Sequence, residues 1–306
     1  MFSTDDQAVQ PENWESIFHL RAEGPHFSFK ACHNPPRSIY PIMEAYTQRL
    51  VARIGTAHSR LCLGLDPRPD QIKQTHPSVE AFLREVIEQT ATHVAAYKPN
   101  IAYFEAMGSK GIQLLESVLE WIPNEVPVIL DAKRSDIGET QSYYAKACFE
   151  TWGVDAVTLN PWLGYDTIEP FLGYAGKGLY LLCVTSNPGA AAFAMREIDG
   201  EYQFERIQAM CARAAADPAA HADVGLVAGL TNLEPAVLDR LVDVPLLIPG
   251  LGAQGGNLGA LAGSRTAPNV VNVSRGILFR EPEKSFEEKA IDYKNRINDV
   301  MDPAPA

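Results

Sequence analysis

The sequence predicts a single-domain (β/α)8 barrel of the TIM type, and three observations carry that prediction. Eight short apolar runs recur along the 306 residues, at 61–65, 94–97, 126–130, 156–159, 179–184, 224–228, 245–248 and 270–273. The runs are continuously apolar rather than alternating, as parallel strands covered on both faces require. Segments of helical period lie between them, so successive runs recur every ~30 residues, the size of one βα unit. An open doubly wound sheet is the alternative. It more usually carries Gly-x-Gly-x-x-Gly after its first strand, and Leu63-Gly-Leu-Asp-Pro-Arg68 is not that pattern.

Taken in order, each run ends in a polar or Gly/Pro-containing tip. The first stops at Asp66-Pro67 and the second at Lys98-Pro99-Asn100. The third stops at Asp131, the fourth at Asn160 and the fifth at Thr185-Ser186-Asn187. The seventh leads into Pro249-Gly250, and the eighth stops at Ser274-Arg275. Pro127 and Pro245 fall at or next to strand starts, where a missing N–H is tolerated. The helical segments are expected at 79–93, 112–121, 140–151, 167–174, 204–215, 233–241, 258–262 and 285–300. Residues 43–300 therefore form the expected barrel domain, with a helix from Met43 leading into the first strand and a tail at 301–306. Residues 1–42 carry scattered aromatics, Pro35-Pro36 and no sustained period. They read as an N-terminal extension, either a mobile appendage or upstream sequence translated from a misassigned start codon; an ordered cover on the barrel bottom is the competing reading.

Bulk composition narrows the function. Hydrophobic residues make up 46% of the chain and charged residues 21%, which suits a large buried core. A net charge of −12 argues against a broad nucleic-acid or anionic-membrane surface. No apolar run approaches the ~20 residues of a membrane span. The N-terminus lacks the basic and apolar regions of a signal peptide. The five cysteines are scattered without a Cys-x-x-Cys pair, which fits a reducing cytoplasm. No two of the seven histidines stand at metal-ligand spacing, so no metal site is expected.

The most informative stretch is Val126 to Thr140, where an apolar run ends abruptly in Asp131-x-Lys133-x-x-Asp136. On an extended chain Asp131 and Lys133 share a face, and Asp136 lies just beyond the strand end. Two carboxylates around one ammonium hold it protonated and aimed, which makes a proton-handling site. A lone motif of this kind is as readily a strand-end salt bridge. Lys98 before Pro99 would likewise pass for a snorkelling lysine, and Asp66 before Pro67 for a turn former. In a barrel, however, all strand tips converge on one mouth. Lys98, Asp131, Lys133 and Asp136 alternate in sign and can pair throughout. The glycine-rich segment 248–256 after the seventh run and Ser274-Arg275-Gly276 after the eighth occupy the loops where many barrels hold a phosphate. Arg275 offers a bidentate guanidinium for such a dianion, and Gln254 an amide donor.

Together these residues resemble orotidine 5′-phosphate decarboxylase, in its longer bacterial (type 2) branch. The matching segments are 63–67, 97–100, 131–140, 158–166, 184–189, 249–256 and 274–278, in the same order and spacing over about residues 44–300. One departure is Ser135, where the branch usually carries glycine. The resemblance implies a cofactor-free decarboxylation of orotidine 5′-phosphate to uridine 5′-phosphate in pyrimidine biosynthesis. Lys133 would donate the proton to C6, with Asp131 beside the substrate carboxylate and Lys98 in the same network touching ribose. Asp136 and Thr140 would reach a neighbouring subunit's site, making a homodimer the active unit. Asp66 would hold a ribose hydroxyl and Ser186 would read the pyrimidine amide edge. Asn160 and Gly255 would line the substrate site, while Gln254 and Arg275 would bind the phosphate.

Two rivals stand beside this reading. A sugar-phosphate enzyme of the same barrel superfamily would share Asp-x-Lys-x-x-Asp but work through a magnesium-bound enediolate, and chelation separates the two. A non-catalytic phosphate-ligand sensor is the other, although a binder needs no alternating Lys/Asp relay.

Overall fold

A computed structural model describes residues 44–229, 237, 239–250 and 265–301. The expectations for residues 1–42, for the helix at 258–262, for most of that at 233–241 and for the tail beyond Met301 lie outside the described residues.

Eight parallel strands form one sheet: β1 (Leu61–Leu65), β2 (Ala96–Pro99), β3 (Ile129–Arg134), β4 (Ala156–Leu159), β5 (Gly178–Val184), β6 (Asp223–Ala228), β7 (Leu246–Pro249) and β8 (Asn269–Val273). Their spatial order is β2-β1-β8-β7-β6-β5-β4-β3. Parallel bridges from Tyr97 to Val128 and from Asn100 to Asp131 join β2 to β3, so the sheet closes on itself as a barrel.

The continuous apolar runs resolve into two layers. Leu61, Leu63 and Leu65 of β1 pack outward under the helices, while Cys62 between them points into a separate interior cluster. The same division separates Leu246 and Ile248 from Leu247 in β7, and Leu179 and Leu181 from Tyr180 in β5. Both strand faces are apolar because each meets a different core.

The interior cluster fills one end of the barrel. Small residues there (Cys62, Ala95, Ala96, Ala156) leave room for Tyr46 and Leu50, which project from the helix Tyr46–Ala57. The Tyr46 and Tyr180 hydroxyls lie 3.1 Å apart. Gly178 is needed here, since a Cβ at that position would collide with the Tyr46 ring. Polar latches hold the helix in place. The Thr47 backbone N–H and hydroxyl donate to Asp223 Oδ2 at 2.7 and 2.8 Å, and Arg49 pairs with Asp155 at 2.7 Å.

Several boundaries differ from the sequence reading for physical reasons. Strands β2 and β3 run further than their apolar cores, so Lys98 and Asp131 lie within strands rather than beyond them. The expected helix 140–151 is α-helical over Gly138–Lys146 and continues as a π-helix over Ala147–Thr151. The expected helix 167–174 is broken into a 3-10 turn, Tyr165–Thr167, and a single helical turn, Glu169–Leu172. Pro170 lacks an N–H and so suits only the first turn of a helix. After β5 comes a short helix, Ala190–Phe193, and an antiparallel hairpin pairing Glu197–Ile198 with Glu201–Tyr202. Asp199 and Gly200 at its tip both have positive φ, the Asp-Gly signature of a tight hairpin turn.

Candidate active site

The end of the barrel opposite Tyr46 carries the polar groups. Lys98 on β2 is 4% exposed and Asp131 on β3 is 9% exposed, so both ionisable groups have left water. Lys98 Nζ donates to Asp131 Oδ2 at 2.6 Å. Asp131 Oδ1 accepts from Lys133 Nζ and, at 3.1 Å, from the Thr158 hydroxyl on β4. One carboxylate thus serves two ammonium groups and a hydroxyl. Burial pushes its pKa up, but the charges of Lys98 and Lys133 and their hydrogen bonds prevail and hold it down at about 2. Burial works against the Lys98 charge, yet Asp131 and then Asp66 outweigh it and raise its pKa above the ordinary lysine value.

Lys133 does not reach Asp131 by simple strand alternation. Its φ is +48°, in the left-handed region, and the β3–β4 register jumps from Leu130↔Val157 to Arg134↔Leu159. This bulge turns the Lys133 side chain, 48% exposed, back onto the carboxylate two residues earlier. The neighbouring Ser135 has no positive φ, so a residue other than glycine meets no left-handed strain there.

The alternating relay anticipated from sequence is centred on Asp131 alone. Asp136 makes no ion pair among the described residues; its Oδ1 accepts the Ile137 N–H at 2.8 Å. It lies beyond the strand, beside exposed Ile137 and Thr140 at the start of the helix Gly138–Lys146. Neither Asp136 nor Thr140 lines the cavity described next.

A cavity of about 690 Å³ opens beside the charged cluster, a volume suited to a small-molecule ligand. Lys98, Asp131, Lys133, Asn160 and Ser186 line it, as the sequence reading expected of strand-tip residues. Asn160 Oδ1 also accepts the Trp162 N–H at 3.3 Å, which orders the turn after β4. Asp66, at the end of β1, has a buried Oδ1 with no hydrogen-bond partner among the described residues. Arg275 begins the short helix Arg275–Leu278 directly after β8 and is exposed. Gln254 and Gly255 lie outside the described residues.

Sequence reasoning missed Thr158 and the aromatic rim. Trp162 and Phe193 line the cavity with ring centroids 6.4 Å apart. A hydroxyl inside the apolar run Ala156-Val-Thr158-Leu was the available signal for Thr158. Nothing in the sequence marked Phe193, which depends on the course of the segment after β5.

The sequence model of the orotidine 5′-phosphate decarboxylase / HUMPS family matches residues 59–288. A Dehalococcoides mccartyi protein named orotidine 5′-phosphate decarboxylase is 39% identical over 249 residues, covering 79% of this chain and 92% of that protein. A Thermomicrobium roseum protein of the same name is 40% identical over 268 residues, covering 84% and 95% respectively. The solved structure of Leishmania donovani OMP decarboxylase superposes with a TM-score of 0.72 at 31% identity, covering 85% of this chain and 100% of that one.

Proposed function

We propose, because the chain belongs to the orotidine 5′-phosphate decarboxylase / HUMPS family, that it converts orotidine 5′-phosphate to uridine 5′-phosphate and carbon dioxide without a cofactor, Lys133 giving the proton to C6. The observation that carries this reading is the buried carboxylate of Asp131 gripped by both Lys98 and Lys133 at the cavity wall.

In this reaction the C6–carboxylate bond breaks and its electron pair stays on C6, in the plane of the ring, where the π-system cannot delocalise it. Carbon dioxide leaves as that pair forms. The Lys133 ammonium then supplies a proton to C6, giving the product, and the neutral amine regains a proton from solvent, which its partial exposure allows. A cation fixed where negative charge develops lowers the barrier without reorganising during the step. Lys98 stays charged throughout and keeps Asp131 ionised and in place.

The remaining groups bind. The unpartnered Oδ1 of Asp66 suits a ribose hydroxyl donor. Ser186 and Asn160, both at the cavity wall, suit the pyrimidine's polar edge. Arg275, with Gln254 and Gly255, takes the phosphate, far from the reacting carbon, so that remote binding energy assists the chemical step. The family reading of a metal-bound enediolate has less support. Asp131, the buried carboxylate at the cavity wall, already accepts from two ammonium groups and a hydroxyl. The deciding test is spectrophotometric consumption of orotidine 5′-phosphate with and without EDTA. Undiminished turnover in chelator is the expected result, while no consumption, or loss of it in EDTA, would sink the reading.

Arg275→Ala should lower kcat/KM for the nucleotide on the order of 100-fold or more, since charge-assisted bonds are worth ~1.5–3 kcal/mol each. The same variant should hardly affect decarboxylation of the nucleoside lacking phosphate. An equal loss with both substrates would remove Arg275 from the phosphate site.

A homodimer with shared sites completes the proposal. Asp136 and Thr140 stand away from the cavity of their own chain, and exposed Ile137 and Tyr143 flank them as an apolar surface for a second copy. Mixing Asp136→Ala chains with Lys133→Ala chains should restore activity, because one of the two mixed sites then keeps both native residues. Verified mixed dimers without recovery would rule out sharing.

A further inference from the structure

We propose that Thr158 is a positioning residue for the decarboxylation, its hydroxyl locking the bulged backbone at Lys133 and the carboxylate of Asp131 into one geometry. This inference rests on the reading of Lys133 as the proton donor.

The β3–β4 ladder shows why a hydroxyl is needed at this point. Between the pairs Leu130↔Val157 and Arg134↔Leu159, three residues of β3 (Asp131, Ala132 and Lys133) face one residue of β4, which is Thr158. A bulge of this size leaves ladder groups without their usual backbone partners. The Lys133 N–H finds its acceptor in Thr158 Oγ1 at 3.0 Å instead. That bond fastens the residue whose left-handed backbone aims the ammonium. A non-glycine residue holds such a conformation only where its surroundings enforce it.

The same oxygen works in the opposite sense. Having accepted from Lys133, it donates its own proton to Asp131 Oδ1 at 3.1 Å. Thr158 is 1% exposed, so water does not compete for either bond. The arrangement has a particular use during turnover. When Lys133 gives up its proton, Asp131 Oδ1 loses its charged partner, while Thr158 on that oxygen and Lys98 on Oδ2 still hold the carboxylate. The acceptor to which the recharged ammonium returns has therefore not moved.

Valine matches threonine in shape and removes both bonds, whereas serine keeps the hydroxyl and removes only the methyl. Thr158→Val is expected to lower kcat 10- to 100-fold with KM and uridine 5′-phosphate affinity changed less than about 3-fold, the range of one or two lost buried hydrogen bonds. Thr158→Ser is expected to recover kcat to within about 3-fold of the unaltered enzyme, because both bonds remain available to it. Should the valine variant not fold, Thr158→Cys, a poor acceptor, takes its place with the same expected loss. A kcat within 2-fold of the unaltered enzyme for the valine or cysteine variant, or a serine variant as slow as valine, would overturn the role.

A crystal structure of Thr158→Val bound to uridine 5′-phosphate provides a readout that does not depend on turnover. Lys133 should leave the left-handed region there. A retained positive φ with an undisturbed Lys133–Asp131 pair would overturn the inference, even if the unaltered enzyme decarboxylates orotidine 5′-phosphate. Failure of the unaltered enzyme to do so would instead strike the functional reading itself.

Discussion

Lys133→Ala should abolish turnover, lowering kcat by about 10⁴-fold or more, while leaving uridine 5′-phosphate affinity within about 10-fold of the unaltered enzyme. The magnitude follows from two separate losses. A positioned general acid contributes ~10²–10⁴-fold, and a preorganised donor at a developing charge contributes ~10²–10³-fold. In the proposed cofactor-free reaction both reside in one ammonium. The product no longer carries the departing carboxylate, so its binding draws on the ribose and phosphate contacts and survives. Folding should survive too, because the Lys133 side chain is 48% exposed and its removal opens no core cavity. Single-turnover kinetics together with calorimetric titration of the product tests both halves. A variant with comparable kcat would rule out Lys133 as the acid.

Asp131→Ala should be the more damaging substitution for the fold. It leaves Lys98, 4% exposed, without the carboxylate that keeps it charged. Removing one partner of a buried ion pair costs ~3–5 kcal/mol, because an uncompensated charge remains in a poor solvent. The deficit should depend on pH. With Asp131 present, the Lys98 pKa is raised, so its contribution is complete below the ordinary lysine value and fades only as pH rises above that value. Without Asp131, burial is the dominant influence and lowers the Lys98 pKa, so the folded variant sheds a proton that the unfolded chain retains. Stability of the variant therefore rises with pH below the lysine value of ~10.4, and its gap to the unaltered protein narrows there.

The gap should also narrow at acid pH, where the unaltered protein loses its own contribution. The depressed Asp131 pKa gives stability that is present above the ordinary carboxylate range and disappears as pH falls toward about 2. Denaturant unfolding across this range is the measurement. A deficit that stays flat with pH would mean that Lys98 finds another partner.

The barrel was legible because its strands are apolar on both faces, and β1 and β4 match their sequence-assigned limits residue for residue. The limits slipped where function intrudes. Lys98 and Asp131 look like strand terminators when read singly, and only the ion pair between them, 33 positions apart, makes them strand residues. Local pattern cannot register a long-range partner that offsets the cost of burying charge. For the same reason Thr158 read as an unremarkable member of an apolar run, since its worth depends on a bulge in the neighbouring strand. The convergence of Asp131 and Lys133 was anticipated, but through alternation; the left-handed backbone at Lys133 that produces it has no signature in the residue type. The clustering of Lys98, Asn160 and Ser186 around one cavity needed no such detail, because it follows from barrel topology alone.

Tyr46 and Tyr180, set edge to face and joined through their hydroxyls, pack with Leu50 and its aliphatic neighbours as the floor of the lumen. Among the described residues that end of the lumen is packed, so in the proposed reaction carbon dioxide released beside Asp131 has no path through it. On the proposed reading it would depart through the cavity mouth by which the nucleotide enters, so that substrate and gas share one doorway.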